Sequence, residues 1–129
     1  MSRKVLIADD EPNIVASLEF LMRQSGYDIR VAVNGDEALS LVEGFGPDLV
    51  MLDVMMPRRS GYEVCRKIRE RESWRHIRIL MLSATGREAE VRKGLTLGAD
   101  AYITKPFSNR ELLAVIRQLL GEDLAPGKA

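Results

Sequence analysis

Short apolar runs alternate with longer stretches of helical period along this 129-residue chain. Lys4–Ala8 (KVLIA) is apolar at consecutive positions, as a strand covered on both faces would be. Pro12–Gln24 then places Ile14, Val15, Leu18, Leu21 and Met22 on one helical face, and Gly26 ends it. Residues 27–33 supply a second, weaker strand. Asn34-Gly35 opens a helix carrying Ala38, Leu39 and Val42 inward. After Pro47 the strand 48–53 is apolar until it meets Asp53. A loop of residues 54–60 leads to a helix over 61–71 with Val64, Cys65 and Ile68 on its inner face. Residues 77–83 form the fourth strand. Residues 87–97 make a poor helix, with Gly94 inside it and a thin apolar stripe. Ala101–Thr104 is a short fifth strand, and Ser108 caps a last helix presenting Leu112, Val115, Ile116 and Leu119.

Five strands alternating with five helices predict an α/β fold with a parallel sheet and right-handed crossovers. Such sheets bind ligands at the carboxyl ends of their strands. The polar residues at those ends are Asp9 and Asp10 after the first strand, Asp53 on the third, Ser83 on the fourth and Lys105 after the fifth. Asp9, Asp10 and Glu11 stand side by side and repel one another. Either a cation joins them, or an acid before Pro12 merely starts a helix. Carboxylates converging from separate strands favour the cation. Hard oxygen ligands fit Mg²⁺, and a carboxylate can also act as a nucleophile toward phosphorus. Phosphoryl transfer asks for charge neutralisation and positioning, which a metal, a lysine and a hydroxyl supply.

Composition removes several classes. Lys+Arg and Asp+Glu both number 19, so no net basic field draws nucleic acid, and direct nucleic-acid binding is not expected. A single cysteine, Cys65, forms no internal disulfide and fits a reducing compartment. No apolar stretch reaches spanning length and the first residues lack a signal-peptide core, so a cytoplasmic domain without membrane association is expected.

The segments ADDEP, MLDVMMPRRSG, IRILMLSAT and GADAYITKPF, taken in this order and spacing, resemble the receiver domain of bacterial two-component response regulators. The resemblance runs over residues 3–121. It implies a flavodoxin-like, doubly wound (βα)5 fold with a five-stranded parallel sheet in order 2-1-3-4-5. It also implies a receiver domain over residues 1–121 and a tail or linker start over 122–129. By resemblance Asp53 is the phosphoacceptor for a histidine kinase or a histidine phosphotransfer protein. Asp10 and Asp53 are then direct Mg²⁺ ligands, Asp9 acts through metal-bound water, and the Met55 carbonyl completes the protein ligands. Ser83 matches the hydroxyl that contacts the phosphoryl group, Lys105 the lysine beside it, and Tyr102 the aromatic switch position. Lys105-Pro106 matches a cis peptide. Phosphate on Asp53 would draw in Ser83 and open space into which Tyr102 rotates. The fourth helix, fifth strand and last helix would form the output surface, which also serves homodimers. The protein would catalyse its own phosphorylation and dephosphorylation without an independent substrate.

Two departures from the family pattern stand out. Arg59 and Ser60 stand where an apolar residue and an acid are usual, and Arg78 replaces a frequent proline. A phosphatase of the haloacid-dehalogenase type is disfavoured, because its nucleophile lies on the first strand in a DxD motif. A nucleotide-binding module is disfavoured because neither G-x-G-x-x-G nor G-x-x-x-x-G-K-[ST] occurs. Cys65 reads as a core thiol, His76 as a surface residue, and the arginines between Arg66 and Arg78 as a solvated face.

Overall fold

The computed structural model describes residues 3–122. The chain runs β1 (Lys4–Ala8), α1 (Pro12–Gln24), β2 (Asp28–Ala32), α2 (Gly35–Phe45), β3 (Leu49–Asp53), α3 (Gly61–Glu70), β4 (Arg78–Ser83), α4 (Glu88–Thr96), β5 (Ala101–Thr104) and α5 (Asn109–Leu119). A single 3₁₀ turn, Glu72–Trp74, lies between α3 and β4. All strand pairs are parallel, and the five-stranded sheet has the order β2-β1-β3-β4-β5.

Period-two alternation sorts the strand residues between two cores. Leu6, Ala8, Val50, Leu52, Ile79 and Met81 face one way, onto Ala38 and Val42 of α2 and Val64, Cys65 and Ile68 of α3. Val5, Ile7, Leu49, Met51, Leu80 and Leu82 face the other way, onto Leu18 and Met22 of α1 and Leu112 and Ile116 of α5. The central strand β3 is buried along its whole length. Burying each such side chain contributes roughly 1.5–3 kcal/mol, which is why these strands read as unbroken apolar runs.

Helix starts follow local chemistry. Asn34, Ser60 and Ser108 each accept the backbone N–H three residues on, at 2.8, 3.2 and 3.0 Å. Glu11 precedes Pro12 but makes no side-chain cap. Its N–H instead donates to Asp9 Oδ1 at 3.0 Å, so helix capping does not account for the acidic run. The tail expected from residue 122 lies outside the described residues except for Glu122. That residue accepts the Tyr27 hydroxyl at 2.8 Å and is tied to the fold. Burial and this carboxylate push the Tyr27 phenol up to about 12.

Candidate functional site: an acidic cleft at the carboxyl edge of the sheet

Parallel register brings the expected residues to one level. Ala8 pairs with Leu52, Asp53 with Leu82, and Ser83 with Thr104. Asp9, Asp53 and Ser83 therefore close the sheet together, and Lys105 N–H ties the next residue back to the Ser83 carbonyl at 2.7 Å. The Lys105–Pro106 peptide is cis, as expected. Asp9 is fully buried, Asp53 is buried, and Asp10 is exposed. Lys105 Nζ donates to Asp9 Oδ2 at 3.1 Å and to Asp53 Oδ1 at 3.5 Å. Met55, Asp10, Glu11 and Ala84 border the open side of the same cleft.

Two buried carboxylates beside one ammonium set the electrostatics. Burial strips water from Asp53 and Asp9 repels its charge, while Lys105 and the Met55 N–H offset only part of this. The Asp53 carboxyl is pushed up to about 6. For Lys105, burial alone would favour the neutral amine. The Asp53 and Asp9 carboxylates overcome it and hold the ammonium above the ordinary lysine range.

Carboxylate oxygens of Asp9, Asp10 and Asp53 lie within 4.8 Å of one another. Three carboxylates against the Lys105 ammonium leave an excess of negative charge in a partly dry cleft. An all-oxygen donor set open to solvent on one side fits a hard divalent cation that keeps part of its water, so these residues fit Mg²⁺.

The start of α3 is built against this edge. Gly61 N–H donates to the Val54 carbonyl at 2.9 Å, and a Cβ on Gly61 would lie 2.4 Å from the Asp53 carbonyl oxygen. Only glycine lets the helix begin this close to the Asp53 backbone. The helix start at Gly61 is visible in sequence, whereas its approach to the Asp53 backbone is not.

The family model for the response regulator receiver domain matches residues 5–117. The chain belongs to this family. A chain described as a response regulator from Chloroflexus aurantiacus J-10-fl is 33% identical with a TM-score of 0.90, over 95% of this chain and 100% of that one. The receiver domain of a sensor histidine kinase from Pseudomonas aeruginosa PAO1 is 26% identical with a TM-score of 0.86, over 95% and 100%. That structure holds a magnesium ion in its active-site cleft. The BeF3-activated DrrB receiver domain is 32% identical with a TM-score of 0.85, over 95% and 100%. The expected flavodoxin-like topology and strand order hold for this receiver domain.

A hydrogen-bonded path leaves the receiver cleft through Ser83. Its Oγ accepts the Thr85 N–H at 3.2 Å, which leaves the hydroxyl proton free to be donated. The Thr85 carbonyl accepts the Tyr102 hydroxyl at 3.1 Å. Tyr102 is half-buried and packs against the core, so its phenol is already turned toward the Ser83–Thr85 segment.

Three side chains make contacts across helices that the sequence does not announce. Tyr62 donates to Glu90 Oε1 at 2.8 Å and lies beneath Lys93 Nζ, 4.5 Å from the ring centre. Arg69 is not a solvated arginine. Its Nε donates to the Gly98 carbonyl at 2.9 Å and its Nη2 to Asp100 Oδ2 at 2.8 Å. Arg59, flagged as a departure, pairs with Asp36 at 2.7 Å and Glu63 at 2.8 Å, which ties the loop after Asp53 to α2 and α3. The i,i+4 spacing of Arg59 and Glu63 was visible in sequence; Asp36 comes from another helix and was not. Cys65 is a buried core thiol, pushed up to about 11 by burial, and His76 is exposed, as expected.

Proposed function

We propose that this receiver domain, spanning residues 1–121, is a phosphorylation-driven signalling switch. Asp53 accepts a phosphoryl group from the phosphohistidine of a histidine kinase or histidine phosphotransfer protein. The observation that carries the reading is the meeting of Asp9, Asp10, Asp53 and Lys105 at one sheet edge. An Asp53 carboxylate oxygen attacks phosphorus, the P–N bond to the donor imidazole breaks, and its electron pair stays on that nitrogen. In hydrolysis, water adds to phosphorus, the P–O bond to Asp53 breaks, and the carboxylate returns. The domain promotes both steps on itself and has no independent substrate.

Asp10, Asp53 and the Met55 carbonyl would hold Mg²⁺ directly, with Asp9 acting through metal-bound water. When bound, the ion neutralises phosphoryl oxygen charge. Lys105 neutralises the same oxygens from its place between Asp9 and Asp53, and Ser83 donates its free hydroxyl proton to one of them. The magnesium-bound Pseudomonas neighbour supports the choice of ion, and the BeF3-activated neighbour supports a phosphoryl-triggered change.

Pulling Ser83 toward a phosphoryl oxygen also pulls Thr85 through its N–H, and through the Thr85 carbonyl it moves Tyr102. The surface of α4, β5 and α5 then changes its affinity for a partner, an effector or a second copy of the domain. Direct nucleic-acid or membrane binding has no part in this reading, and a cytoplasmic setting suits the donor. No helix among the described residues is long and apolar enough to cross a membrane.

Intact-mass spectrometry after treatment with a small phosphodonor tests the assignment. Wild type should gain one phosphoryl group with Mg²⁺ and Asp53→Asn should gain none. Equal phosphorylation of both would remove Asp53 from its role.

A further inference from the structure

The two ends of α4 are held very differently. Its C-terminal end is anchored by four hydrogen bonds. Arg69 donates to the Gly98 carbonyl and to Asp100, Asp100 also accepts the Ile79 N–H at 2.8 Å, and Cys65 Sγ lies 3.7 Å from the Leu97 carbonyl. Just before this end, Gly94 is pressed onto Met81 and the Tyr102 ring, with a built Cβ only 2.9 Å from Met81 Sδ.

Among the described residues the N-terminal end is held by fewer contacts from the rest of the fold. Arg87 gives α4 no side-chain cap, and residues 86–89 are exposed. Among the described residues, what reaches this first turn from another helix is the Tyr62 phenol, on Glu90 Oε1 at 2.8 Å and the Glu90 carbonyl at 3.2 Å. Tyr62, Glu90 and Arg87 line one cavity together with Ser83 and Thr85, so this contact borders the path that leaves the phosphoryl site.

We infer that Tyr62 is a positioning residue of the switch. Its phenol is a latch that holds the first turn of α4 on α3, and α4 pivots on its anchored C-terminal end when the latch opens. This rests on the phosphoacceptor reading for its trigger. Movement of Ser83 and Thr85 displaces the segment leading into the first turn of α4, and the Tyr62–Glu90 bond is the contact that must yield. The Arg69–Asp100 anchor confines motion to the free end.

Amide hydrogen exchange and NMR shifts of Tyr62→Phe test it, because phenylalanine keeps the ring and removes the hydroxyl. Without any phosphodonor, exchange at Val91 and Arg92 should rise at least about tenfold, the lower end of the effect of losing a hydrogen bond to a charged group, while Leu97 and Ala99 stay unchanged. Amide shifts of residues 86–93 should move along the line joining free wild type to wild type with beryllofluoride and Mg²⁺. Glu90→Ala, which removes the side-chain acceptor and leaves the Glu90 carbonyl, should move them a shorter way along that line. Arg69→Ala should instead raise exchange at Leu97 and Ala99 and shift off the line. Unchanged exchange at Val91 in both latch variants, or shifts in an unrelated direction, would overturn the latch. A wild type that ignores beryllofluoride would overturn the phosphoacceptor reading and the trigger with it. The exchange measurement would still decide whether the phenol holds the helix, so the two failures are separable.

Discussion

Replacing Asp53 by asparagine should stabilise the metal-free protein at pH 8, although it removes a partner of Lys105. The folded-state carboxyl sits at about 6 against 3.8 for the unconstrained group, so folding favours its protonated form. Above pH 6 the ionised Asp53 therefore destabilises the fold, and the penalty fades as the pH falls from 6 toward 4. A difference of about two units corresponds to about 3 kcal/mol, a ceiling because the cleft is open to water on the Asp10 side. The Lys105 attraction is already contained in that net figure. Asparagine keeps the shape and carries no charge, so it should recover about 2–3 kcal/mol at pH 8 and well under 1 kcal/mol at pH 4. Urea unfolding in EDTA at the two pH values, read as the difference between variant and wild type, isolates this one group from other titrations. Mg²⁺ should close most of this gap. A ligand at a hundred times its dissociation constant adds about 2.7 kcal/mol to wild type, and much less to a variant that has lost a ligand oxygen. An Asp53→Asn protein less stable than wild type in EDTA at pH 8 would refute the reasoning. It would show that the Lys105 attraction exceeds the sum of burial and Asp9 repulsion.

Two glycines should respond oppositely to alanine. Gly44 in α2 has open space around it, so Gly44→Ala should stabilise by about 0.5–1 kcal/mol in urea unfolding. Gly94→Ala should lose that gain against Met81 and Tyr102 and come out neutral or destabilised. Asp100→Ala leaves the Ile79 N–H and Arg69 without their shared acceptor and should cost about 1–3 kcal/mol by the same measurement. Ser83→Ala should still be phosphorylated, more slowly. One hydrogen bond to a charged group is worth roughly 1.5–3 kcal/mol. Full reversal of a two-state element needs about 5.5 kcal/mol. Beryllofluoride should therefore produce reduced but measurable NMR shifts over residues 84–107 of this variant.

Most of the candidate site was legible because of a topological rule. Parallel strands deliver their carboxyl ends to one edge, so Asp9, Asp53, Ser83 and Lys105 could be brought together from strand order alone. The element boundaries followed from caps and breakers such as Asn34, Ser60 and Ser108, whose chemistry is local. What stayed hidden depends on how helices dock. Nothing in residues 61–71 announces that Tyr62 will reach Glu90 or that Arg69 will reach Asp100, since both partners lie on the far side of β4 in sequence. Gly94 has a second role that propensity does not carry. Propensity counts it as a weakness of α4, whereas in the fold it is where the helix meets the Tyr102 ring. The orientation of Tyr102 was equally out of reach, because the acceptor of its hydroxyl is a backbone carbonyl, which any residue at position 85 would supply.

The most direct measurement is the position of the phosphoryl group. Treatment with a small phosphodonor and Mg²⁺, reductive trapping of the acyl phosphate with borohydride and peptide mapping would locate it to one residue. The expected result is a single reduced side chain at Asp53, absent when Mg²⁺ is withheld. Trapping at Asp9 or Asp10 instead, or equal trapping at Asp53 without the metal, would contradict the central claim that Asp53 is the metal-dependent acceptor.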